Sequence, residues 1–261
     1  MARGRCLERC DSLVLAGGLG TRIRPVLGDV PKLLAPIGER TYLDFLLEWL
    51  ARFGARRVVF ALGHGAKPIL EHLGRRPQGS LAIDTAVEPS PLGTAGAVRF
   101  ARAKLATDPV LVLNGDSFVD ADLCAFHAAH RASSAPGTIL CVEVANAGRY
   151  GRVLIDDCQR IGGFREKDAS YLGHAFVSAG VYFLSAALLD EIAVGSASSI
   201  ERDLFERLPA GSLAAFAGCF RFIDIGTPET LALAESVLGR SASVAVQKSA
   251  SFLPRVRDAD F

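Results

Sequence analysis

The sequence predicts an α/β fold built on a mixed, mainly parallel sheet flanked by helices. Two observations carry this. Short apolar runs alternate with helix-length amphipathic runs through the first half of the chain. Those apolar runs, such as Val58-Val59-Phe60-Ala61-Leu62 and Val110-Leu111-Val112-Leu113, are continuous rather than alternating, as strands buried on both faces are.

In order, the first half reads as a strand at 12–16, a helix at 42–53, a strand at 57–62, a helix at 66–73, a strand at 82–87, a helix at 95–105 and a strand at 110–113. This is a βαβ succession, in which ligands bind beyond the carboxyl ends of the strands. After residue 135 the turns come closer together, giving strands at 138–144, 152–155, 161–166 and 175–184. Helices follow at 186–192, 200–207 and 228–238, the last with Pro228 in its opening turn. No linker rich in Pro, Gly or Ser separates the halves and no repeat is evident, so residues 1–238 read as one domain of two lobes, about 11–135 and 136–238. Residues 239–261 carry Gly239 and four serines without periodicity and read as a flexible or loosely docked tail.

Half of the 261 residues are hydrophobic, enough for a sizeable core. With 29 basic and 28 acidic residues the net charge is +1, which offers no basic field to a nucleic acid or a membrane surface. The first ten residues hold Arg3, Arg5 and Arg9 without the apolar stretch of a secretory signal, and no run of about 18 apolar residues follows, so a cytoplasmic protein is expected. The cysteines at 6, 10, 124, 141, 158 and 219 form no C-x-x-C pair, and a chain of this size folds without disulfides. They are read as free thiols, buried or on the surface.

The first strand runs into Leu15-Ala16-Gly17-Gly18-Leu19-Gly20-Thr21-Arg22, and Pro31-Lys32 follows. Glycines let a backbone with unpaired N–H groups approach an anion, and two cations beside them point to phosphates. It matches neither common nucleotide fingerprint, because Ile23 stands where a third glycine belongs and no Gly-Lys-Ser/Thr follows. A second turn, Glu88-Pro89-Ser90-Pro91-Leu92-Gly93-Thr94, opens a helix that Thr94 is expected to cap. Asn114-Gly115-Asp116 ends another strand, and Asp224 precedes Ile225-Gly226-Thr227-Pro228 at a further strand-to-helix turn. Two carboxylates on one rim suit a magnesium ion, which takes one or two carboxylates, waters and the substrate's phosphate oxygens.

These motifs resemble, in order and over residues 11 to 238, those of the sugar-1-phosphate nucleotidyltransferases. The resemblance implies a Rossmann-like nucleotide-diphospho-sugar transferase fold of the GT-A-like kind, with Mg2+ on Asp116 and Asp224. It assigns nucleotide binding to Leu15, Ala16, Gly17, Gly18, Gly20, Thr21, Glu88, Pro91, Leu92, Gly93 and Thr94. Sugar phosphate falls to Asn114, Tyr150, Gly151, Glu166, Lys167 and Gly180. Arg22, Lys32, Asp116 and Lys167 would be catalytic, with Arg22 bracing the β and γ phosphates, Lys32 the α-phosphate and Lys167 the attacking phosphate.

Thymidylyl and uridylyl members commonly carry glutamine where Glu88 stands. A carboxylate only accepts, and guanine offers adjacent N1–H and N2–H₂ donors, so Glu88 points to GTP. Within the family the details look closest to the D-glycero-α-D-manno-heptose 1-phosphate guanylyltransferases of bacterial capsule and surface-polysaccharide synthesis. Mannose-1-phosphate guanylyltransferases are the near alternative, then uridylyl-transferring relatives, then a non-catalytic nucleotide-binding subunit. Relatives often pair, which leaves a homodimer open. Ser178-Ala179-Gly180 departs from the family's Asn-Ala-Gly, which puts a contact to the sugar in doubt. Asp203 stays unassigned beside a helix start at Ser199, His127 and His130 read as solvated helix surface, and His64 reads as a loop residue at a strand end, a plain turn first and a neighbour of the nucleotide second.

Overall fold

A computed structural model of the chain describes residues 4–76, 79, 81–196 and 198–243. The first half runs β1 (Ser12–Ala16), α1 (Arg24–Leu27), β2 (Pro36–Ile37), β3 (Arg40–Thr41), α2 (Tyr42–Arg52), β4 (Arg57–Leu62), α3 (Ala66–Gly74), β5 (Ala82–Val87), α4 (Gly93–Ala101) and β6 (Val110–Asn114). The second runs β7 (Ser117–Val119), α5 (Leu123–Ser133), β8 (Gly137–Val144), β9 (Arg152–Ile155), β10 (Ile161–Arg165), β11 (Ala175–Leu184), α6 (Ala186–Val194), α7 (Ile200–Asp203), β12 (Ala214–Gly218), β13 (Phe222–Asp224) and α8 (Pro228–Ser243).

The central sheet has nine strands in the order β10-β9-β11-β6-β1-β4-β5, with β8 pairing β11 and β12 pairing β8. Strands β6, β1, β4 and β5 are parallel throughout, so their carboxyl ends share one edge. β11 runs antiparallel to β6, β8 and β9, which makes the second lobe the mixed part of the sheet. The predicted fold class is the observed one.

Alternate residues of the parallel strands feed opposite layers. Val14, Val58, Phe60, Leu111 and Leu113 pack with α2 and α5, whereas Leu13, Leu15, Val59, Ala61 and Val112 pack with α4 and α6. Helix α2 shows why the layers hold: Leu43, Leu46, Leu47 and Leu50 are buried at helical spacing. At about 2 kcal/mol apiece, their burial outweighs intrinsic helix propensity. A capping box starts the helix, with Asp44 N–H donating to Thr41 Oγ1 at 3.3 Å and Thr41 N–H to Asp44 Oδ2 at 3.1 Å.

Several expectations are corrected. Cys6 and Cys124 form a disulfide with Cα atoms 5.3 Å apart, because the fold lays the N-terminal segment beside the start of α5. Cys10, Cys141, Cys158 and Cys219 are free thiols as expected, the first two buried. His130 is not solvated: it is buried, 2.8 Å from Thr138 Oγ1 and stacked on Phe183, and desolvation pushes its pKa down to about 4. His127 is half-buried against the same ring. The helix expected over 200–207 is α7 followed by a 3₁₀ turn at Phe205–Arg207, and β7, β12 and the β2–β3 hairpin are additions. Helix α8 continues to Ser243, so the first five residues of the expected tail are helical. The rest of that tail, 244–261, lies outside the described residues. Among the described residues no helix is long and apolar enough to cross a membrane.

Candidate active site

A cavity of about 300 Å³ opens at the carboxyl ends of the parallel strands. Each strand supplies part of its wall: Leu15 to Gly18 beyond β1, His64 beyond β4, Glu88, Pro91, Gly93 and Thr94 beyond β5, and Asn114 to Asp116 beyond β6. Lys32 joins them from the 3₁₀ turn Lys32–Leu34. Four segments far apart in sequence converge here because parallel strands end on the same edge of the sheet. His64 is a wall residue, as is Gly115 of the Asn114-Gly115-Asp116 motif, and so are Ile69 and Ala97, to which the sequence reading assigned no role.

Glu88 gives one wall its chemistry. Its backbone N–H donates to Leu62 O at 2.7 Å, which continues the ladder one residue past β5. The residue is 7% exposed; Oε2 accepts from Leu92 N at 3.1 Å, while Oε1 is buried and has no partner among the described residues. Both carboxylate oxygens lie against Gly17, at 3.1 and 3.2 Å from the place a Cβ would take there. Burial holds the Glu88 carboxyl above the usual carboxylate range, with the Leu92 bond opposing. An orphaned buried acceptor costs free energy until a donor reaches it, so this wall is built to receive N–H groups.

The opposite rim carries charge. Lys32 Nζ donates to Asp116 Oδ2 at 2.8 Å in a partly buried pair. The strand pair β7–β13 sets Asp224 opposite Ser117, and Ile225 N–H donates to Asp116 O at 2.8 Å, so the two aspartates stand on neighbouring backbone. Asp224, Arg22 and Lys32 converge on Gly226. A Cβ there would lie 2.6 Å from Asp224 Oδ1, 3.4 Å from Arg22 Nη2 and 3.7 Å from Lys32 Nζ. Beneath them Tyr42 is fully buried with its hydroxyl unpartnered among the described residues, and burial, then Asp116 and Asp224, drive its pKa well above the phenolic range. Among the described residues no group of three or more metal-ligating side chains gathers. Two carboxylates alone form a hard-oxygen donor set that suits Mg2+ sharing its ligands with waters and a triphosphate.

Not every sequence-assigned residue meets in the cavity. Gly20, Thr21 and Arg22 continue the β1 loop outside the wall, and Arg22 is exposed. Leu92 contributes its N–H to Glu88 rather than its side chain. Thr94 does not cap α4, whose N-cap is Leu92; its Oγ1 accepts from Ile200 N at 2.9 Å. Asn114 abuts Gly180, where a Cβ would fall 2.5 Å from its Nδ2. Tyr150 is half-buried with its ring centroid 6.2 Å from that of Phe222, on the strand that carries Asp224. Gly151, Glu166 and Lys167 are exposed at the β9–β10 end of the second lobe, outside the cavity wall. Asp203 is a structural cap, its Oδ2 accepting from Ser198 N, Ser198 Oγ and Ser199 N at 2.8 to 2.9 Å.

Comparison with known proteins shows the family of the chain. The family description "Nucleotidyl transferase" matches residues 11–239. D-glycero-alpha-D-manno-heptose 1-phosphate guanylyltransferase of Aneurinibacillus thermoaerophilus is 30% identical over 229 residues, covering 87% of this chain and 98% of its own length. Mannose-1-phosphate guanylyltransferase of Mycobacterium tuberculosis is 32% identical over 227 residues, covering 85% of this chain but 62% of its own length. Among solved structures, HddC from Yersinia pseudotuberculosis complexed with GMP-PN superposes with a TM-score of 0.77 at 30% identity, over 87% of this chain and 98% of that one.

Proposed function

The chain belongs to the nucleotidyl transferase family, and on that premise we propose that it joins GTP to a sugar 1-phosphate, giving a GDP-sugar and pyrophosphate. The observation that carries the guanine assignment is Glu88: a buried carboxylate on the cavity wall, one oxygen without a partner among the described residues, set against the glycine turn. Guanine's N1–H and N2–H₂ are two adjacent donors, whereas uracil and thymine present a single donor between two acceptors. Two relatives named as guanylyltransferases, and a neighbour complexed with GMP-PN, support the same base.

In the proposed reaction an oxygen of the sugar 1-phosphate attacks the α-phosphorus of GTP in line. The bond from that phosphorus to the bridging oxygen breaks, and pyrophosphate leaves. The attacking phosphate monoester is largely dianionic at neutral pH, its second pKa being about 6, so no general base is required. Catalysis is then positioning and charge stabilisation. The Gly17–Gly20 turn presents backbone N–H groups to the triphosphate, and Arg22 braces the leaving phosphates from the rim. Lys32 exchanges its pairing with Asp116 for the α-phosphate, and Lys167 receives the sugar phosphate from the second lobe. Asp116 and Asp224 would hold Mg2+, which when bound neutralises the triphosphate's charge.

For the sugar we favour D-glycero-α-D-manno-heptose 1-phosphate, the product then serving surface-polysaccharide synthesis in the cytoplasm. The match to the heptose relative runs over 98% of that protein's own length, which supports this choice. Mannose 1-phosphate is the second reading, supported by comparable identity. The test offers GTP, UTP, CTP and dTTP with each sugar phosphate and follows pyrophosphate release. Highest kcat/KM for GTP with the heptose phosphate is expected; preference for UTP would overturn the base assignment, and preference for mannose 1-phosphate the sugar.

A further inference from the structure

The segment from Ser198 to Asp203 touches both halves of the proposed site. At one end it holds the base loop. Ala95 N–H donates to Ser198 O at 3.0 Å and Ile200 N–H donates to Thr94 Oγ1 at 2.9 Å. Gly93, in the left-handed region at φ +74°, packs so closely on Ser198 O that any side chain there would collide. Asp203 stiffens this end by accepting three hydrogen bonds from Ser198 and Ser199, which hold its carboxyl down to about 2.

The other end reaches the sugar side through a chain of hydrogen bonds that all run one way. Gly180 N–H donates to Ser178 Oγ at 3.1 Å, Ser178 Oγ to Tyr182 Oη at 3.4 Å, and Tyr182 Oη to Glu201 Oε1 at 2.6 Å. A donor chain that ends on a carboxylate is polarised along its length, and each bond strengthens the next. It spans the stretch of β11 between Ser178 and Tyr182 where the pairing with β8 shifts register, so side chains there replace regular ladder bonds. Tyr182 is buried, and Gly180 backs directly onto Asn114 of the cavity wall.

We infer that Glu201 is a positioning residue that couples seating of the nucleotide to the geometry of the sugar-phosphate side, acting through Tyr182 on Gly180 and Asn114. This rests on the guanylyltransferase reading above. A base that settles the 93–95 loop settles α7 with it, and Glu201 then fixes the bulge in β11. Linkage makes the effect reciprocal: sugar phosphate must tighten nucleotide binding by the same factor. Ser178 is part of the device. Its hydroxyl bridges Gly180 N–H and Tyr182 Oη.

The test is calorimetric titration of the full chain with a non-cleavable α,β-methylene analogue of GTP. Binding is measured alone and with saturating mannose 1-phosphate or the heptose 1-phosphate, in the presence of Mg2+. Wild-type protein is expected to bind the analogue about tenfold more tightly when sugar phosphate is present, within the usual range of such couplings. Tyr182→Phe, which keeps the ring and removes one oxygen, should cut that enhancement to less than twofold while leaving affinity for the analogue alone within twofold. Glu201→Gln, at a half-buried position, gives the same readout if Tyr182→Phe folds poorly. Enhancement retained in a folded variant, or absent from a wild-type protein that binds both ligands, overturns the coupling alone. Wild-type protein that binds no GTP analogue overturns the guanylyltransferase reading with it.

Discussion

Replacing Glu88 by glutamine alters charge and one acceptor while leaving side-chain volume unchanged. In the free protein Oε2 holds Leu92 N and Oε1 holds nothing. A bound guanine would donate N1–H and N2–H₂ to this carboxylate, and hydrogen bonds to a charged group are each worth about 1.5–3 kcal/mol. An amide keeps one acceptor and turns a donor toward a donor. The expected loss is therefore one such bond plus an unpaired group, roughly 2–4 kcal/mol. At about 1.4 kcal/mol per factor of ten, kcat/KM for GTP should fall on the order of 30- to 700-fold. Stability should move the other way. The folded carboxyl titrates above its ordinary range, so its contribution to stability is full below the unfolded value and lost as pH rises through the folded one. Glu88→Gln should thus melt higher than wild type at neutral pH and no higher in acid. The assay is pyrophosphate release with GTP, UTP and inosine triphosphate, which lacks the exocyclic amine. Wild type should prefer GTP to inosine triphosphate and the variant should lose that preference. Equal use of the two by wild type, or a variant with undiminished kcat/KM for GTP, would refute the role given to Glu88.

Asp116→Asn should lower turnover by about a thousandfold or more, as removal of charge from a preorganised site does, with an unchanged circular dichroism spectrum; near-normal turnover discards the proposed metal role. Tyr42→Phe removes a fully buried hydroxyl that has no partner among the described residues and should raise unfolding stability by about 1 kcal/mol in denaturant titration, whereas a loss would reveal a partner. His130 gives the protein an acid limit. Its folded pKa is depressed to about 4, so stability present above about 6.5 is lost as pH falls toward 4, by roughly 3 kcal/mol. His130→Gln should flatten that limb of the stability–pH curve, and an unchanged limb would assign it to other groups.

The parts of the fold that could be read from sequence are those whose burial is written locally. Strand β4 shows in Val58-Val59-Phe60-Ala61-Leu62 because a strand covered on both faces needs no polar alternation. Strand β12 does not, since Ala214-Ala215-Phe216-Ala217-Gly218 holds no β-branched residue and is a strand because β8 pairs with it. Thr94 follows the local rule for a helix cap, yet a residue 106 positions away claims its hydroxyl. His130 and the Cys6–Cys124 bridge fail the same way, because Thr138 lies beyond the end of α5 on strand β8 and the two cysteines stand 118 residues apart.

The site divides along the same line. Gly17, Glu88 and Asp116 each follow a strand that ends on one sheet edge, so a motif read just after an apolar run is already placed in space. One step of the assembly is not local. Strands β1 and β5 are separated by β4, a distance of about 10 Å at ordinary strand spacing, yet the Glu88 carboxylate rests on Gly17. The crossing runs over the end of β4, where Gly63 stands, and a Cβ on Gly63 would lie 2.9 Å from Gly17 O and 3.0 Å from its Cα. Any larger residue at 63 would push the glycine turn away from Glu88. The Glu88 carboxylate and the Gly17-Gly18 turn thus line one cavity because a residue belonging to neither motif has no side chain.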